Sequence, residues 1–389
     1  MRRVQQRVTG HRPLAAITTL AGMRLIPARV GPTPRFPSTS TTTVWGALIL
    51  AAAVVAWAYT VAVLTPRMSV VAGIAPMPGG DGELFMWVAE LRWTAILLAA
   101  LGMLTVVAGR RGAPVGALLL TGLLLGVDAA LERTGVTGAS GLAIALTSAA
   151  VSVCVAGWIA GRPGPDDRSL VVRRRLAVVA VVAACCAPLL LLQGTPTVNH
   201  PFLPVGLPTV TTVLPALLTM LAAVAVAAAR VRALPTIAAT GFAALPALLL
   251  AGFGATTGLG IGQHVTSYGA LLVGPLFVVV VALLWWHPAG RRRGPVALWT
   301  ALAAVGGALV TVPVVFAGLV FSMFGSSMLF TLAGTSYPAD GVSVVPGVTV
   351  VTLVAGILIA ARLPGPIDPP DPTPIVAGGP RPAGPPAPA

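Results

Sequence analysis

The stretch GRPGPDDRSLVVRRRLAVVAVVAACCAPLLLL, residues 161–192, contains the two features that decide the architecture. Its first half is polar and closes on Arg173, Arg174 and Arg175, whereas Leu176 to Leu192 carries no charged side chain. A helix crossing the hydrocarbon core needs roughly 17–25 predominantly apolar residues, and this run meets that length. An arginine cluster beside such a run stays on the cytoplasmic side, because loops rich in basic residues are retained there during insertion.

Working outward, apolar runs recur at 44–64, 92–109, 114–131, 139–160, 176–192, 208–229, 233–254, 267–286, 296–318 and 342–361. The sequence therefore predicts an all-α, polytopic integral membrane protein of about ten transmembrane helices. Composition agrees: 56% of the 389 residues are hydrophobic and 9% charged, where soluble domains carry about 25% charge. Mean hydropathy is +0.93.

Orientation follows from arginine, the only basic residue besides histidine, since all 24 basic residues are Arg. With ten spans, 21 arginines fall on one face, and only Arg67, Arg92 and Arg133 on the other. The richer face is the cytoplasmic one, so both termini are expected in the cytoplasm and the protein in the plasma membrane. Trp45, Trp158, Trp285, Trp286 and Trp299 fall at the same helix ends, where amphipathic indoles anchor at the headgroups; Trp87 and Trp93 mark the outer end of the second span.

Three parts result: a basic N-terminal segment, 1–43, expected to be disordered; a transmembrane domain, 44–362; and a Pro-rich disordered tail, 363–389, open to protein partners. The first apolar run starts too far behind Arg2 and Arg3 for a cleavable leader. Residues 316–332 are read as a surface or re-entrant helix of the outer leaflet. The lipid bilayer is the expected surrounding. Nucleic acid is not expected as a partner, because the arginines sit in short clusters beside apolar runs and form no stripe.

Charged residues inside spans are the functional candidates by default. Asp128 lies about 21 Å of helix rise beyond Pro114, at about 1.5 Å per residue, and Glu132 follows one turn later on the same face. They read as a proton- or cation-binding pair open to the outside, with Gly122 and Gly126 admitting a neighbouring helix. The competing reading leaves both carboxylates at a helix end, solvated or paired with Arg133.

Pro188, Pro215, Pro246, Pro275, Pro313 and Pro346 interrupt the fifth to tenth spans and read as kinks around an outward vestibule, with Glu90 on its rim. Chance placement of some of the 36 prolines is the alternative. No metal site, cofactor or catalytic set is legible. His200 and His264 lack ligand spacing, and Cys154, Cys185 and Cys186 fall in apolar runs as small buried hydrophobes.

The leading expectation is a transporter- or permease-like protein for a small solute, and an enzyme is the less favoured class. A non-catalytic membrane scaffold or envelope-assembly partner is the alternative. The third reading is a membrane enzyme acting on a lipid-linked substrate through Asp81, Glu83 or Glu90 of the loop 65–91.

Overall fold

The computed structural model describes residues 39–68, 82–161, 169–193, 206–229, 276–285, 309, 312–314, 316–321 and 344–363. These are almost entirely helical, with no strand among them. Helix α1, Thr39–Tyr59, continues through a π-helical segment, Thr60–Leu64, to Met68. It is followed by α2 (Gly82–Val106), α3 (Ala113–Thr134), α4 (Gly138–Ala160), α5 (Ser169–Gln193), α6 (Gly206–Ala229), α7 (Leu276–Trp285) and α8 (Val344–Arg362). The first six contain stretches long and apolar enough to cross a bilayer.

Local chemistry sets the sharpest connection. Pro114 stands in the first turn of α3, where a missing N–H costs nothing. Gly135 ends that helix with φ 64°, returning its N–H to the Leu131 carbonyl at 3.1 Å, and Gly138 opens α4 with φ 68°. Two residues in the left-handed region within four positions reverse the chain, and glycine takes that conformation without steric cost. At the far end of the hairpin, Gly112 and Gly116 lie so close to Ala156, Ile159 and Ala160 that any side chain there would strike the facing helix. Small residues spaced by four thus bring α3 and α4 into near-backbone contact.

Helices α2 and α5 form the interior: 89% and 83% of their apolar windows are buried, against 28% and 22% for α3 and α4. The outward faces of the peripheral helices carry Leu118, Ile144, Val151 and Trp158, and those of α8 carry Ile357 and Leu358, all exposed. So much bare aliphatic surface is foreign to a water-soluble domain and fits a lipid bilayer.

The helices share two ends. Gly46 of α1 lies beside Thr105 and Val106 of α2, Gly112 beside the last turn of α4, and Arg173 of α5 beside Leu284 of α7. This is the basic end. At the opposite, carboxylate end, Gly206 opens α6 against the Tyr59 phenol, and Gly141 of α4 lies beside Ala62. Helix α8 runs antiparallel to α5, with Thr349 next to Cys186 and Gly356 next to Val178. Helix α7 does likewise, since Phe277 packs near Cys185 and Leu189 while Leu284 meets Arg173.

The structure departs from the sequence expectations in several places. Helix α1 begins at Thr39, five residues ahead of its apolar run, and α2 at Gly82, ten ahead. Glu90 is therefore a helical residue, fully buried, and not part of a loop. Trp87 and Trp93 are buried as well, at 3% and 9% exposure, so neither indole stands at a lipid interface. Pro346 falls in the first turn of α8 and starts that helix where an interruption was expected. A β-carbon added to Gly122 or Gly126 would meet nothing within 4 Å, so the close packing belongs to Gly112 and Gly116.

Pro188 and Pro215 do lie inside continuous helices, and both are buried; the chain around Pro188, from Cys185 to Leu191, is enclosed by protein. Pro313 is exposed in a short helical piece. Residues 1–38, the run 233–254, most of 296–334, the tail beyond Leu363, and Asp81, His200, Pro246, His264 and Pro275 lie outside the described residues.

Candidate functional site

The site is assembled at the carboxylate end from three helices. Arg92 stands ten residues into α2, about 15 Å of rise from Gly82. Asp128 stands six residues before the end of α3, about 9 Å from it. Because α3 carries Asp128 and Glu132 one turn apart, both carboxylates reach the same guanidinium. Arg92 Nη2 lies 2.7 Å from Glu132 Oε2 and 3.4 Å from Asp128 Oδ2. The three side chains are enclosed, at 2%, 4% and 9% exposure for Arg92, Asp128 and Glu132.

Helix α1 completes the cluster from the other side. Trp57, fully buried, donates its indole N–H to Asp128 Oδ1 at 2.9 Å. One turn further the helix widens into the π-helical segment, where the Thr65 backbone N–H reaches back to the Thr60 carbonyl. The Thr65 hydroxyl donates to that same carbonyl at 3.0 Å and accepts from Arg92 Nη1 at 3.4 Å. Single π-turns inside α-helices occur frequently at functional sites, and here the extra width turns the Thr65 hydroxyl toward the guanidinium.

The structure thus joins two of the sequence candidates, Asp128 and Glu132, and supplies their counter-ion from α2. Glu90 stands about 200° round α2 from Arg92 and faces away from this cluster. The proline candidates contribute no side chain to it. Sequence reasoning misses Arg92, Trp57 and Thr65. It places Arg92 as a charge at the outer face, and nothing in linear spacing connects that residue to positions 36 and 40 further along. Its one available signal is an Arg flanked by apolar residues only two positions from Glu90, a combination that a helix carries inside a bilayer only when both charges are sheltered by protein.

The charge count gives the arrangement its chemical meaning. One guanidinium faces two carboxylates, so the fully ionised cluster has one negative charge in excess. In surroundings of low dielectric that excess is costly unless a proton or a small cation offsets it. No known protein family matches the chain, and neither a curated protein nor a solved structure matches it.

Proposed function

We propose that this chain is a transporter- or permease-like protein that moves a small solute across the plasma membrane, with Asp128 and Glu132 as its coupling carboxylates. The observation carrying the reading is the buried cluster of one arginine and two carboxylates within apolar helices. Ionisable groups at such depth are costly to retain, and they mark ion and substrate pathways in membrane proteins.

The fuller topology belongs to the same reading: ten spans, with both termini in the cytoplasm. Support comes from helix directions. Helices α6 and α7 both finish at the basic end, while α8 starts at the carboxylate end. The chain must change ends between α6 and α7 and again between α7 and α8, and the apolar runs 233–254 and 296–318 are there to do so. Trp45, Trp158 and Trp285, exposed at the basic end, suit the headgroup level of one leaflet. The arginine distribution makes that leaflet the cytoplasmic one.

Ion flux into vesicles containing the purified protein tests the function. Asp128→Asn is expected to abolish the ion movement that the intact protein supports; equal flux from both removes the coupling role. A second reading has its own observation, since the cluster ties α1, α2 and α3 together. As a pure fastening, it would lower thermal stability in Asp128→Asn with no ion flux in either protein.

A further inference from the structure

The oxygens of the cluster are almost all engaged by N–H donors, and this selects among the cations that could offset its surplus charge. Resting on the transport reading above, we infer that the coupling ion is a proton, carried by Glu132, and not a metal cation. Asp128 Oδ1 accepts from the Trp57 indole, and Oδ2 faces the Arg92 guanidinium. Glu132 Oε2 accepts from Arg92 at 2.7 Å. The Thr65 hydroxyl directs its proton to the Thr60 carbonyl and its lone pair to Arg92.

A hard metal cation needs about six oxygen ligands with lone pairs turned inward. This shell offers instead a central guanidinium, which repels any metal cation, and oxygens already occupied by hydrogens. A proton needs a single lone pair. Glu132 Oε1 accepts no hydrogen bond among the described residues, and its side chain, at 9% exposure, is the most accessible of the three. Protonation there forms one O–H bond, leaves Glu132 neutral and leaves Arg92 matched one to one with Asp128. Release returns the carboxylate to its bond with Arg92. Access from the helix end, two residues away at Thr134, gives the proton a short route.

No other buried charge competes at this position among the described helices. Helices α4 and α6, packed against α1 and the π-helical segment, carry no acidic or basic side chain. Arg173, Arg174 and Arg175 of α5 and Arg362 of α8 lie at the opposite end, and Glu90 is on the far side of α2. Arg67, beyond the π-helical segment, and Arg133 are both exposed.

Infrared difference spectra of the purified full-length protein between acidic and neutral buffer test the assignment. The C=O stretch of a protonated carboxylic acid is expected in the intact protein, lost in Glu132→Gln and kept at a shifted position in Glu132→Asp. Equilibrium dialysis with radioactive sodium is expected to show no saturable binding. A band that survives Glu132→Gln overturns the assignment, and so does saturable sodium binding that Glu132→Gln abolishes. Sodium-driven flux in vesicles would overturn the proton while leaving transport intact. A Glu132-dependent band without Glu132-dependent proton movement would keep the proton site and remove the transport reading.

Discussion

The bundle shelters arginine at both of its ends, by different chemistry. At the carboxylate end Arg92 meets two full negative charges on α3. At the basic end Arg173 donates to the Leu284 carbonyl at 3.1 Å, and Arg175 donates to the carbonyls of Ala108 and Arg110. Those carbonyls lie in the last turn of α7 and just beyond α2, where helix ends leave acceptors without intrahelical partners and the macrodipole is negative. A backbone carbonyl does not titrate, so the basic end is a permanent clamp holding α2, α5 and α7 in register. Carboxylates do titrate, so the opposite end can change its charge. The difference separates an anchored end from one equipped to respond.

The largest effect is expected from Arg92→Leu, which strands two carboxylates among apolar helices. A loss of about 3–5 kcal/mol, the scale for breaking a buried pair from one side, should appear as a sharply lowered thermal midpoint in detergent. Next comes Arg175→Ala, which frees two carbonyls and should cost about 1.5–3 kcal/mol. If the two ends differ as described, that loss is the same in mildly acidic and neutral buffer, whereas the Arg92→Leu loss shrinks on acidification as the stranded carboxylates protonate. Trp57→Phe removes one hydrogen bond to Asp128 and should cost about 1 kcal/mol, read by the same melting curves. Glu132→Gln should change the midpoint least, by under about 1 kcal/mol, because it leaves Arg92 and Asp128 balanced; a fall as deep as that of Arg92→Leu would erase the distinction between charge surplus and charge pairing.

Legibility in the sequence varies by element. Where a span is apolar throughout, as in α3 to α6, hydropathy finds the helix within a few residues at most of its ends, because little but apolar length is needed to specify it. The start of α2 is hidden because Glu90 and Arg92 lower hydropathy where the helix is most deeply buried. The Asp128 and Glu132 pair is legible because a helical turn lies within one segment. Their partners are not, since Arg92, Trp57 and Thr65 come from other segments and meet them only through packing. The π-helical widening leaves no trace in TVAVL, a string that an ordinary α-helix accommodates equally well.

That widening makes the end of α1 sensitive to residue count. Deleting one residue from Thr60–Leu64 would restore an even winding and rotate everything after it by about 100°, swinging the Thr65 hydroxyl off Arg92 while hardly shortening the span. An engineered deletion there would therefore act as a switch of azimuth, leaving composition and membrane insertion almost untouched and altering only what the guanidinium touches.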